Sequence, residues 1–129
     1  MDTSNLPDDR AEAAQTLAKL TRSVVMQTGE TDLITDGEQI LQVHGGSEML
    51  CLVTGAGCML SALTGAFLAA NPDDPLYAAA AAAETMSVCA EIAQKRLRIG
   101  EGNAAFRTRL IDAMCNLTPE ILRKWRKEA

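Results

Sequence analysis

Residues 49 to 72 form 24 consecutive positions without a charged side chain, and this run constrains the fold more than any other feature. It is long enough to cross a bilayer. Yet Thr54, Gly55, Gly57, Ser61, Thr64 and Gly65 interrupt it, and no Lys or Arg flanks either end. The run therefore reads as a strand–loop–helix passage, and no membrane partner is expected. An extended apolar segment spans Met49 to Thr54, Gly55-Ala56-Gly57 makes a tight turn, and a helix runs from about Gly57 to Ala70 before Asn71-Pro72.

The rest of the chain must pack around that passage. A length of 129 residues suits one domain. With 47% hydrophobic but only 3% aromatic residues, the core is expected to be Ala, Leu, Val, Ile and Met, whose small side chains let helices lie close to a sheet. Asp8 to Ser23 reads as an amphipathic helix with Ala13, Leu17 and Leu20 as its apolar stripe. Strands are expected at 23–28, 32–36 and 39–44, with Asp36-Gly37 as a two-residue hairpin turn and His44-Gly45-Gly46 ending the hairpin. A long helix starts near Pro75 and reaches about Arg98, carrying Leu76, Ala79, Ala83, Met86, Ala90, Ala93 and Leu97 as a core stripe. Gly100 and Gly102 stop it. A helix over about Ala104 to Leu117 follows, and Thr118-Pro119-Glu120 opens a short terminal one. Helix, three or four strands, then three helices make an α/β layered unit. So narrow a sheet, covered by helices on both faces, leaves an unpaired strand edge.

Charge narrows the function classes. Twelve Lys and Arg against seventeen Asp and Glu give a net charge of −5, which argues against a nucleic-acid partner because phosphate neutralisation needs a basic field. The one basic cluster, Arg123, Lys124, Arg126 and Lys127 around Trp125, reads as a solvated helix end. Cys51, Cys58, Cys89 and Cys115 show neither metal-ligand spacing nor a CxxC pair, so no metal site is expected. Cys51, Cys89 and Cys115 lie on apolar stretches and read as inert buried thiols. His44 reads as a turn residue. No secretory segment follows Met1, so a cytoplasmic location is expected.

The glycine turn is the candidate site. Two residues without a Cβ let a ligand approach the backbone, and the turn delivers N–H groups onto a helix N-terminus, where partial positive charge collects. Cys58, on the first helical turn, lies in the same field, which stabilises a thiolate. On spacing alone the turn either binds an anion or only packs a helix against a strand. It lacks the GK[ST] of a P-loop and the third glycine of a dinucleotide fingerprint.

Three ordered blocks then bear on the choice. They are Gln27-Thr28-Gly29-Glu30-Thr31-Asp32-Leu33-Ile34-Thr35-Asp36-Gly37, Val53 through Leu63, and Phe106 with Leu110-Ile111-Asp112-Ala113. With His44-Gly45-Gly46 and Ala66-Phe67 between them, residues Asp2 to Leu122 resemble the C-terminal half of hydroxyethylthiazole kinase, of the ribokinase-like superfamily. The resemblance implies residues 1–129 as a single partial domain, half of a ribokinase-like layered fold. It implies ATP- and Mg²⁺-dependent phosphorylation of 4-methyl-5-(2-hydroxyethyl)thiazole in thiamine biosynthesis. It implies Gly55, Ala56 and Gly57 as the anion hole, with Gly55 also bordering the thiazole alcohol. Cys58 would be the catalytic residue, standing where most sugar kinases of the superfamily have an aspartate, and Thr28 an ATP contact. Glu30 and Asp32 would stay structural or solvent-facing. Homo-oligomerisation, as a trimer, or a separately encoded first half is implied as partner.

The departures are specific. Family members are about twice this length, Cys51-Leu52 replaces a polar or basic pair, and Gly102-Asn103-Ala104-Ala105-Phe106 replaces Gly-x-Gly-Ser-Phe. The alternatives are a hydroxymethylpyrimidine (phosphate) kinase, whose anion hole can read Gly-Thr-Gly-Cys, and a non-catalytic remnant or subunit of a split kinase.

Overall fold

Ala11, Ala14 and Ala18 give helix α1 (Asp8–Thr21) a face of methyl groups small enough to lie directly on a strand. The computed structural model describes residues 8–128. This alanine face, rather than the expected Ala13, Leu17 and Leu20, is the buried one. Leu17 and Leu20 are 50% and 78% exposed. Both triplets recur at helical spacing, so periodicity fits either; contact with Leu33 of the sheet decides between them. Arg22 ends the helix at φ 53, and Ser23 N–H donates to Ala18 O at 3.2 Å, the six-to-one bond of a left-handed C-cap.

Three short strands follow: β1 (Val25–Gln27), β2 (Asp32–Thr35) and β3 (Ile40–Val43). They form an antiparallel meander in the order β1-β2-β3, with Met26 opposite Ile34 and Ile34 opposite Leu41. The Asp36-Gly37 turn is longer than expected, because Thr35 pairs with Ile40 and leaves four residues in the loop. Only Gly37 has a positive φ, of 100°. Asp36 stays outside that region because its Oδ1 accepts from Glu38 N–H at 2.9 Å and Gln39 N–H at 2.8 Å. These two bonds hold its carboxyl below the usual carboxylate range.

Alternation along the strands gives each face of the sheet its own cover. Ile34, Leu41 and Val43 pack with Leu76, Ala79, Ala80 and Ala83 of α3 (Pro75–Lys95), while Leu33 meets Ala11 and Ala14. Helix α3 starts at Pro75 after Asp74, whose carboxylate accepts from Tyr77 N–H. The expected stripe is buried from Leu76 to Ala93, with Leu97 half-buried past the helix end. Ala78, Ala82, Val88, Cys89 and Ile92 are buried as well, so α3 is the central rod of the molecule. Its C-terminal half packs on Phe106, Leu110 and Ala113 of α4 (Asn103–Asn116) and on Met59, Leu60 and Leu63 of α2 (Ala56–Ala70).

Phe106 is fully buried, in a core with no other large aromatic among its fully buried members. Truncating it leaves a void that small neighbours cannot fill. Phe106→Ala should cost about 3–5 kcal/mol of stability, read from denaturant unfolding; a loss below about 1 kcal/mol would mean that α4 is not essential to this core.

Residues 119–128 form the terminal helix α5 (Pro119–Glu128), opened by Thr118 Oγ1, which accepts from Ile121 N–H at 3.2 Å. It is more than a solvated end. Arg126 is only 27% exposed and pairs with Glu84 and Glu91, because α5 folds back along α3. Of the three thiols expected to be buried, only Cys89 is; Cys51 and Cys115 are exposed. Burial pushes the Cys89 thiol up to about 11. Among the described residues no helix is long and apolar enough to cross a membrane.

Candidate functional site

The approach to the glycine turn is helical where extended chain was expected. Residues Glu48–Leu52 form a 3₁₀ helix, capped by Ser47, whose Oγ accepts from Met49 N–H at 3.1 Å. Met49 and Leu50 pack against the main core, and two adjacent residues of an extended chain would point to opposite sides. Only Val53 is extended, at φ −111 and ψ 119, and it is buried in that core. Val53 thus anchors the turn from below.

Gly55 takes φ 95 and ψ 0 as the N-cap of α2. Its carbonyl accepts the first helical bond, from Met59 N–H at 3.0 Å. No side chain caps this terminus, and no acidic residue stands in its first turn. The N–H groups of Ala56, Gly57 and Cys58 therefore lie ahead of the helical ladder and carry the partial positive end of the helix. A Cβ built on Gly55 or Gly57 would meet nothing within 4 Å, so neither glycine is required by packing. Gly57 and Cys58 are exposed, and Gly55 and Ala56 half-exposed. A turn with open space, free donors and positive polarity is suited to an anion.

Beside it lies a groove of about 300 Å³ lined by Leu52, Val53, Thr54, Asn103, Ala104 and Arg107. Asn103 Nδ2 donates to Leu52 O at 3.2 Å and ties the head of α4 to the turn. Arg107 brings a cation to this groove, which sequence reading passed over because it stands alone on an exposed helix face.

Thr28 is exposed at the end of β1, in a loop braced from inside. Gly29 N–H donates to Asp32 Oδ1 at 3.0 Å, and Arg10 donates to Gln27 O at 3.4 Å. Burial raises the Asp32 carboxyl above its usual range despite that N–H and the nearby Arg10. Asp32 is thus a brace, and Glu30 is exposed. No hydrogen bond joins the Thr28 loop to the glycine turn among the described residues. They are linked indirectly, through Thr31 Oγ1 and His44 Nδ1 at 3.3 Å and the 44–46 segment that leads into the 3₁₀ helix. Metal ligation finds no support in the donor set: among the described residues no three His, Cys, Asp or Glu side chains gather to hold an ion.

The sequence profile of the Hydroxyethylthiazole kinase family matches residues 1–120. Hydroxyethylthiazole kinase of Desulforudis audaxviator is 44% identical over 110 residues, covering 85% of this chain and 39% of that protein. Its counterpart in Escherichia coli O17:K52:H18 is 40% identical over 121 residues, covering 94% of this chain and 45% of that protein. The solved hydroxyethylthiazole kinase structure from Pyrococcus horikoshii OT3 superposes with a TM-score of 0.78 at 32% identity, over 90% of this chain and 44% of that one. The chain spans less than half the length of these relatives.

Proposed function

Because the chain belongs to the hydroxyethylthiazole kinase family, we propose that its glycine turn receives the phosphoryl group passing from ATP to the hydroxyl of 4-methyl-5-(2-hydroxyethyl)thiazole. The observation that carries this reading is the open, uncapped head of α2. There the Ala56, Gly57 and Cys58 N–H groups have neither a capping side chain nor an acidic neighbour, and both glycines face free space.

Phosphoryl transfer asks the protein mainly to position reactants and stabilise charge. As the alcohol oxygen bonds to the γ-phosphorus, the bond to the β–γ bridging oxygen breaks and charge spreads over the transferring oxygens. The three N–H groups and the helix dipole meet that charge without reorganising. Gly55 borders the alcohol, Cys58 Sγ takes its proton, and Thr28 contacts ATP. A loose transition state needs little proton abstraction early on, so the sulfur of Cys58, acting as the thiolate, can serve where related kinases use a carboxylate. Mg²⁺ normally screens the phosphates in such reactions, but the described residues do not assemble a site for it, and no step is assigned to it on this chain. The remaining substrate and metal contacts belong to the part of the family fold that these residues do not span. Residues 1–129 are read as one partial domain, cytoplasmic, assembling with further copies as a trimer or with a separately encoded first half.

Alkylation tests the reading. Cys51, Cys58 and Cys115 are exposed, so iodoacetamide should label all three, and ATP should slow labelling at Cys58 while leaving Cys115 unchanged. In a protein completed with the family's other half, Cys58→Ala should lower turnover while ATP affinity is kept, and Cys58→Asp should retain activity. Equal Cys58 labelling with and without ATP would remove the turn from nucleotide binding.

A further inference from the structure

Glu84, Ser87 and Glu91 stand three and four residues apart on α3, so they share one helix face. That face meets α5 and the turn after β3. Glu91 is the junction: Oε1 accepts from Gly46 N–H at 2.8 Å and from Arg126 at 3.3 Å, and Oε2 accepts from Trp125 Nε1 at 2.6 Å. Arg126 also donates to Glu84 and, at 3.3 Å, to Ser87 Oγ. Ser87 Oγ in turn donates to His44 O at 3.5 Å. Lys95 Nζ lies 5.0 Å from the centre of the Trp125 ring. Two carboxylates thus share the Arg126 guanidinium in a partly buried cluster, where hydrogen bonds to charged groups count for more than on open surface.

We propose that Trp125 and Arg126 are positioning residues: through Glu91 they hold the Gly45–Gly46 turn and, through His44 on Thr31, the loop that carries Thr28. Trp125 occupies one oxygen of Glu91 and Arg126 shares the other, which leaves Oε1 aimed at Gly46 N–H. Without α5, water would compete for both oxygens and the carboxylate could rotate away. The turn is shaped to this acceptor. Gly45 and Gly46 both adopt positive φ, and a Cβ on Gly45 would run into the Glu91 carboxylate. Most of α5 lies past residue 120, where the family match ends, so the latch stands on this chain's own contacts. Its consequence for ligand binding rests on the reading of Thr28 as a nucleotide contact.

Amide hydrogen exchange on residues 1–129 tests it, because exchange reports local opening site by site. Trp125→Phe keeps an aromatic side chain but removes the indole N–H and part of the ring's bulk, so unchanged exchange in α3 serves as the control for packing. It should speed exchange severalfold at Gly46 and at residues 29–31, with Val88, Cys89 and Ala90 in α3 unchanged. Glu91→Ala removes the acceptor itself and should speed Gly46 exchange about tenfold, the change expected for one bond to a charged group. Unchanged exchange at Gly46, or a uniform rise that includes α3, would overturn the latch. An ATP titration of the same variants separates the two readings. Loosened loops with weaker ATP binding support both. Loosened loops with unchanged ATP affinity support the latch and reject Thr28 as a nucleotide contact.

Discussion

Purified residues 1–129, given ATP, Mg²⁺ and the thiazole alcohol, should show no turnover above background, and should self-associate or bind a polypeptide carrying the rest of the family fold. The first reason is the sheet. Among the described residues it has three strands, and β1 pairs with β2 on one side only, leaving a row of backbone donors and acceptors open to another strand. The second is α2. Its fifteen residues are almost all apolar or small, yet none is fully buried, whereas α3 is buried on most of its circumference. Exposed Leu17 and Leu20 extend the uncovered surface. The third is chemical: with no acidic groups gathered for a metal among the described residues, the ATP phosphates would be poorly neutralised, and positioning alone seldom suffices. Light scattering gives the mass and a coupled assay the rate. A stable monomer turning over at about 1–100 s⁻¹, as kinases commonly do, would overturn the expectation.

Substitutions at the two turn glycines should separate folding from binding. Gly57 has no positive φ, sits inside α2, and offers a Cβ open space. Glycine is among the poorest helix formers, so Gly57→Val should leave the melting temperature unchanged or slightly higher. The same side chain would stand where a phosphate must approach the N–H groups, and ATP affinity should fall by at least about tenfold, or 1.4 kcal/mol. Gly55 differs, because φ 95 is a conformation that a β-branched residue resists. Gly55→Val should lose affinity and also about 1–3 kcal/mol of stability. Calorimetric titration beside thermal melts reads both. If Gly57→Val lost stability and affinity in parallel, the turn would be structural only.

The expectations that held concern features encoded over a few residues. Pro75 after Asp74 starts α3, the alanine-rich stripe buries it, glycines at 100 and 102 separate it from α4, and Asp36-Gly37 marks the β2–β3 hairpin, though its loop has four residues. The glycine turn as a local conformation was equally legible: Gly55-Ala56-Gly57 ahead of an apolar helix marks it, and the structure gives its φ and open space. The errors have a common origin. Met49–Thr54 reads as extended by composition, yet it coils because Met49 and Leu50 both find the core on one side. Cys51 and Cys115 sit in apolar stretches on the faces that those stretches leave exposed. Trp125 and Arg126 look like part of a basic helix end until α5 meets Glu91, thirty-four and thirty-five residues earlier.

By itself, then, the sequence determined where most elements begin and end and which turn leads into an uncapped helix head, because capping, φ preference and hydrophobic spacing act within one or two turns of chain. Only the tertiary structure decided which face of α1 lies on the sheet, which thiols are covered, and that a C-terminal helix braces a turn near residue 45. Each depends on side chains far apart in sequence meeting at a distance that local pattern does not encode.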